Sequence, residues 1–212
     1  MFRRIVCSTL VLFAATAHAQ IRRQPQNINN DPDYWVGLSL GYVDGLTLSD
    51  DRTGSIWRFG YSAQIRATLE KTISRGATVG IAAGFSSVPL TYESGNFSNF
   101  CSECRADADI NQYTVFIRGG GGQGFHGLYQ LEGGVTQFTN FRESTTQTRL
   151  DPQDGVSDAT FGFGGGVAYG FSRTSDIYIG EMLDFVFHKQ STTVEQQAPR
   201  VFTFRGGFRF GF

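Results

Sequence analysis

Hydrophobic residues along this chain recur at every second position, in runs separated by polar or glycine-rich links. The first run sets Tyr34, Val36, Leu38, Leu40 and Tyr42 on one face, with Gly37, Ser39 and Gly41 on the other. The second sets Trp57, Phe59, Tyr61, Ala63, Ile65, Ala67 and Leu69 against Arg58, Gly60, Ser62, Gln64, Arg66, Thr68 and Glu70. The third opposes Ala77, Val79, Ile81, Ala83 and Phe85 to Thr78, Gly80, Ala82, Gly84 and Ser86. Tyr113, Val115 and Ile117 mark the fourth run, and Tyr129, Leu131 and Val135 the fifth, opposite Gln130 and Glu132. Phe161, Phe163, Val167, Tyr169 and Phe171 mark the sixth, and Asp176 to His188 forms the seventh. The eighth alternates Phe202, Phe204, Gly206, Phe208, Phe210 and Phe212 with Thr203, Arg205, Gly207, Arg209 and Gly211. A period of two is the signature of a strand with unlike faces, so the pattern predicts eight strands.

The links alternate long and short: about 44–55, 71–76, 88–110, 119–127, 140–158, 172–175 and 189–199. With antiparallel neighbours, every long link falls at one end and every short one at the other. That asymmetry, with an even strand number, is the pattern of a membrane β-barrel. Each run is about the length that crosses a bilayer at a tilt. Mean hydropathy is −0.19, and charged residues are 17%. No run after the N-terminal stretch is long enough for a membrane helix, but alternating strands look only half hydrophobic. A net charge of −1 offers no basic field for nucleic acid.

Eight strands enclose room for side chains and little else. The aromatic face is too bulky to fit inside, so it is expected to meet lipid, and the small face to line the lumen. The predicted fold is all-β, an eight-stranded antiparallel up-and-down transmembrane β-barrel spanning 34–212. Long charged residues on the small face, Arg58, Arg66, Glu70, Arg118, Glu132, Asp184, Arg205 and Arg209, are expected to pair within it, because a buried charge is costly without a partner. Hairpin geometry suggests Asp184 with Arg205. Tyr34, Tyr42, Trp57, Tyr92, Tyr129 and Tyr169 lie near strand ends and are candidate interface aromatics. Glu181 has the parity of the lipid face, which calls for a bulge near Gly180 that re-aims it or for a contact with a partner.

Residues 1–19 read as a secretory signal: Arg3 and Arg4, then an apolar run from Ile5 to Thr16, then Ala17-His18-Ala19 before Gln20. Cleavage between Ala19 and Gln20 would remove Cys7 and move the formal charge from −1 to −3, because Arg3 and Arg4 leave. Residues 20–33 read as a flexible polar lead-in. The strand pattern, the sorted links and the alternation ending in Phe212 together resemble the small outer-membrane β-barrel proteins of Gram-negative-type bacteria, the group of the OmpA transmembrane domain and OmpX. The resemblance implies a bacterial outer-membrane location, contact with its lipid and lipopolysaccharide, and insertion by the barrel-assembly machinery. It implies that Phe208, Phe210 and Phe212 serve as the assembly signal.

Candidate chemistry is sparse. Cys101 and Cys104 lie in the second long link, where an exported chain favours a local disulfide. Gly119-x-Gly121-x-x-Gly124 matches a dinucleotide fingerprint in form, but a strand follows it and not a helix. His188, Ser191 and Glu195 are the one catalytic-looking set, beside the last long link. Asp50, Asp51, Asp107, Asp109, Asp151 and Asp154 read as solvated link charge, with divalent-ion binding as the alternative. No catalytic residue, metal site or cofactor is expected. The expected role is a non-enzymatic barrel presenting four external loops to a ligand the sequence does not name. The alternatives are a narrow channel for small solutes and an envelope lipid-modifying enzyme.

Overall fold

The computed structural model describes residues 32–50, 53–95, 103–188 and 199–212. Ten strands follow one another: β1 Tyr34–Val43, β2 Thr47–Ser49, β3 Ile56–Phe59, β4 Ser62–Ser74, β5 Ala77–Glu93, β6 Glu103–Gly119, β7 Gly124–Glu143, β8 Val156–Gly170, β9 Ser175–Phe187 and β10 Arg200–Gly211. Every pairing is antiparallel. The ring runs β1, β4, β5, β6, β7, β8, β9, β10 and back to β1. β3 extends the β4 stave beyond a break at Gly60 and Tyr61, and β2 pairs with β3 alone. The described residues therefore form a closed, eight-staved, all-β barrel.

Closure rests on the ladder between β1 and β10, from Trp35↔Gly211 to Val43↔Thr203. At its short-turn end Phe212 N–H donates to the Tyr34 carbonyl at 2.9 Å, and Tyr34 N–H donates to the Phe212 carbonyl at 3.2 Å. The two rings stack 6.2 Å apart. A closed ring leaves no unpaired edge, which is what a strand structure needs where water is absent.

Alternation then decides the two faces. Leu38, Leu40, Ile81, Val115, Leu131, Phe161, Phe204 and Phe210 point outward and are exposed. Ser39, Gln64, Thr68, Thr114, Gln130, Thr160 and Thr203 point inward and are buried. The barrel is inside-out relative to a water-soluble one, as the bulk of the aromatic face requires. Of the interface aromatics, Tyr34, Tyr42, Tyr129 and Tyr169 lie on the outer face.

The second run departs from its predicted phase. Phe59 faces Leu90, and Ile65 faces Phe85. Between those pairs the β3–β4 side advances six residues (65 − 59) and β5 advances five (90 − 85). One extra residue at Gly60–Tyr61 acts as a bulge and reverses the faces. Trp57 and Phe59 consequently point inward and are buried. Arg58 points outward and pairs with Glu93, so it is no part of the lumen network. Tyr92 is likewise fully buried, and neither it nor Trp57 is an interface aromatic.

The long link expected over 88–110 is mostly strand. β5 and β6 stay paired from Val88↔Ala108 to Glu93↔Glu103. The link expected over 140–158 is shortened by β7, which runs to Glu143, and that over 44–55 contains β2. Strand seven is regular where a bulge was expected: β9 keeps continuous register with both β8 and β10 through Gly180 and Glu181. Glu181 therefore lies on the outer face.

Replacing Trp57 by Ala should lower the unfolding free energy by about 3–5 kcal/mol, as for other large buried aromatics, measured by denaturant unfolding of the folded barrel. The Arg58→Ala change should cost less than about 1 kcal/mol, the worth of a surface pair. Equal costs would contradict the phase reversal.

Candidate functional site

The inward-facing residues form two stacked layers. The layer nearer the short turns is charged. Arg66 makes a two-pronged contact with Glu132, Nη1 to Oε1 at 3.1 Å and Nη2 to Oε2 at 2.5 Å. It also donates to Thr114 Oγ1 at 2.8 Å and Gln112 Oε1 at 3.2 Å. Arg118 donates to Glu70 Oε1 at 2.5 Å and, through Nε and Nη2, to Gln130 Oε1 at 3.0 and 2.8 Å. Arg209 reaches the other Glu70 oxygen at 3.1 Å and forks onto Asp176. Glu70 thus bridges two guanidinium groups. Its Oε2 also accepts from the Thr78 hydroxyl at 2.6 Å.

Aromatic faces cover these cations. Arg118 lies 5.0 Å from the Phe116 ring centre and 5.1 Å from that of Tyr178. Arg209 lies 4.9 Å from Trp35. Four arginines, Arg66, Arg118, Arg205 and Arg209, and four acids, Glu70, Glu132, Asp176 and Asp184, are buried in the lumen, and ion pairs join Arg66, Arg118 and Arg209 to Glu132, Glu70 and Asp176. Such balance is what a low-dielectric interior demands, since each unpaired charge would cost several kcal/mol.

Seven of the eight residues expected in the lumen lie there, and Arg58 does not. The expected Asp184–Arg205 pair does not form. Asp184 stands opposite Val201 and Arg205 opposite Gly180, a four-residue offset worth roughly 13 Å along a strand. Arg205 donates to Gln64 Oε1 at 3.2 Å. Its Nε and the Asp184 Oδ1 have no hydrogen-bond partner among the described residues. Asp176 escaped the sequence reading, although it has the parity of Asp184.

The layer nearer the long loops is apolar. Leu46, Leu48, Trp57, Phe59, Val88, Leu90, Tyr92, Phe138, Phe141 and Val186 pack into one cluster. Trp57 is its centre, with ring-centre distances of 4.6 Å to Phe141 and 6.4 Å to Phe138. This plug seals the barrel above the charged layer. The β5, β6 and β7 extensions and the folded-over β2–β3 hairpin supply it. Its signal was present: Val88, Leu90 and Tyr92 continue the parity of Thr78 to Ser86.

His188 belongs to this seal. Its Nδ1 lies 2.7 Å from Asp158 Oδ2, its Nε2 lies 3.8 Å from Asp50 Oδ1, and its ring centre is 5.4 Å from that of Trp57. It ties β8 and β9 to the hairpin, with its side chain turned away from solvent. Ser191 and Glu195 lie outside the described residues. Asp50 is buried rather than solvated, accepting from Thr53 N–H at 3.0 Å and the Thr53 hydroxyl at 2.7 Å. Asp107 and Asp109 accept from Ser144 and Asn140, each at 2.9 Å, and Asp51 lies outside the described residues. Cys104 is disulfide-bonded on β6, and Cys101 lies outside the described residues. The Gly119–Gly124 stretch is a turn joining β6 to β7, with φ of 92° at Gly120 and 71° at Gly124. Among the described residues no group of three His, Cys, Asp or Glu side chains is placed to hold a metal ion.

At the rim, hydrogen bonds from Thr146, and then from the Thr145 amide, hold the exposed Glu143 carboxyl down to about 2. A carboxyl depressed in the folded state supports its turn fully above its ordinary value, and that support is lost as pH falls through the folded one. The Thr145 and Thr146 amide resonances should therefore stay fixed from pH 7 to about 5 and move only on acidification toward 2. Movement centred near the ordinary carboxylate range would contradict the contact. In the lumen, Glu132→Ala should cost about 3–5 kcal/mol by stranding Arg66, whereas Arg66→Met with Glu132→Leu should cost much less. Denaturant unfolding of the folded barrel reads both.

No family model matches the chain, and no curated protein matches it. Among solved structures it is similar to Neisserial surface protein A, at 10% identity and a TM-score of 0.56, over 85% of this chain and 97% of that one. It is also similar to the outer membrane protein OprG from Pseudomonas aeruginosa, at 12% identity and a TM-score of 0.55, over 86% and 97%. Identities this low carry the fold alone. The closed ring, the apolar exterior and these likenesses together give the chain the fold of the small eight-stranded outer-membrane β-barrels.

Proposed function

We propose that this protein works in the bacterial outer membrane as a non-enzymatic barrel that holds its long-loop end outside the cell for contact with envelope or surface partners. The observation that carries this reading is the filled interior. A balanced charge layer and an aromatic plug occupy the space through which a solute would pass, and His188 is engaged within the seal. The outer end stands clear of this filled interior, where β5, β6 and β7 rise past the apolar belt and carry charged, hydrogen-bonded residues. Functions grafted on rigid scaffolds sit on such ends. Outer-membrane lipid and lipopolysaccharide surround the belt in this reading, and a disulfide between Cys101 and Cys104 stiffens one loop. Phe208, Phe210 and Phe212 present the closing strand to the assembly machinery.

Single-channel recording in planar bilayers tests the filled interior. The purified barrel should give no steady openings. Steady openings abolished by Arg66 or Glu132 substitution would overturn the reading in favour of a narrow channel. In whole cells, a tag inserted beside the exposed Asp154 should be reached by antibody without permeabilisation. Labelling only after permeabilisation would reverse the orientation. Phe212→Ser should reduce the membrane-inserted, heat-modifiable fraction severalfold, and an unchanged fraction would remove that residue from assembly.

A further inference from the structure

A cavity of about 70 Å³ opens at the short-turn end, room for roughly five water molecules. Strand parity builds its floor. Arg118 is the penultimate residue of β6, Arg209 lies near the end of β10, and both point into the lumen. The short turns build its rim. Arg75 lies between β4 and β5, Arg173 lies between β8 and β9, and both are exposed. A further turn joins β6 to β7, and its Gly120 and Gly121 N–H groups both donate to the Gly76 carbonyl, at 2.8 and 3.0 Å. A Cβ at Gly121 would come within 3.1 Å of the Gly76 Cα, so glycine lets these two turns lie backbone against backbone as one wall.

Donors outnumber acceptors here. A guanidinium carries five N–H groups. Arg118 uses three, on Glu70 and Gln130, and Arg209 uses three, on Asp176 and Glu70. That leaves two N–H groups on each (5 − 3) without an acceptor among the described residues, on side chains that are 5% and 3% exposed. Charge points the same way. Arg75, Arg118, Arg173 and Arg209 line the cavity against Asp176 alone. Glu70 lies behind the floor arginines, so the excess is two positive charges (4 − 2). Lys71 and Asp33, at the same end, offset each other. A concave site with apolar walls, here Trp35 and Leu128, concentrates such a field.

We propose that this mouth is a binding site for a phosphate group with one or no ester bond, either free inorganic phosphate or the monoester headgroup of an anionic lipid in the adjoining leaflet. Such a phosphate carries about −1.5 to −2 at neutral pH, which matches the excess charge of the cavity. A carboxylate, with one charge, leaves half of it uncompensated. Phosphate oxygens accept pairs of parallel N–H bonds, the geometry that the planar guanidinium supplies. Arg118 and Arg209 meet the phosphate through their spare N–H groups, and Arg75 and Arg173 add charge from the rim. Under the outer-membrane reading the mouth faces the periplasm, and the site holds on either side.

Nuclear magnetic resonance of the folded barrel in zwitterionic nanodiscs, titrated with sodium phosphate or sodium acetate at constant pH and ionic strength, tests this. Phosphate should move the Gly76 and Gly121 amides and the Trp35 indole along one saturating curve, and the Trp57 indole in the plug should stay fixed. Acetate should bind about tenfold more weakly. Arg75→Gln with Arg173→Gln, both exposed and outside the floor network, should weaken phosphate about tenfold, the worth of one charge-assisted contact. Heat-modifiable migration reports that the variant is folded. Nanodiscs containing phosphatidic acid identify the source: the same shifts without added phosphate, lost in the double variant, assign the site to the lipid headgroup. Shifts with inorganic phosphate alone assign it to the free ion. Fixed resonances under both phosphate and phosphatidic acid overturn the site and leave the cavity to water. So does acetate that matches phosphate, or a folded double variant that binds phosphate like wild type.

Discussion

The ladder between β1 and β10 is the interaction on which the rest of the structure depends. Without it the sheet has two bare edges, and neither face is inside or outside. With it, a single parity rule assigns every side chain. Tyr34 and Phe212 end that ladder with reciprocal backbone hydrogen bonds and stacked rings. The greasy alternation of β10 is therefore both the last wall of the barrel and the seam that shuts it.

Closure creates a second demand, since the enclosed space must be filled without stranding charge. The chain answers differently at two heights. Within the belt, Arg66, Arg118 and Arg209 pair with Glu132, Glu70 and Asp176, and Glu70 and Gln130 each serve more than one donor or partner. Beyond it, a hydrophobic cluster around Trp57 takes over. The bulge at Gly60–Tyr61 is what permits the change, because it swings Trp57 and Phe59 inward while Ile65 and Leu69 stay on the belt. One inserted residue thus converts a membrane stave into part of a water-facing cap.

Much of this was legible from alternation alone. Parity placed Leu38, Ile81 and Phe204 outside and Arg66, Glu70, Arg118 and Glu132 inside, and the sorted links indicated the up-and-down order. The failures have physical causes. A bulge leaves alternation intact on both sides and changes only its phase, so Arg58 and Trp57 were assigned to the wrong faces. Pro89 and the neighbouring polar residues made a paired hairpin look like a loop, although Val88, Leu90 and Tyr92 kept lumen parity. Pairing across a hairpin depends on register, and a four-residue error was enough to match Asp184 wrongly with Arg205. Glu181 was the opposite case: parity placed it correctly, and the expected bulge that would have hidden it is absent.

The central claim is that the aromatic face meets lipid and the charged and plugged interior does not. Quenching of tryptophan fluorescence by acyl chains brominated near the bilayer centre tests it directly. The native tryptophans, Trp35 beneath Arg209 and Trp57 in the plug, should be quenched weakly, and a Leu40→Trp probe strongly. Strong quenching of Trp57 together with a shielded probe at 40 would contradict the account.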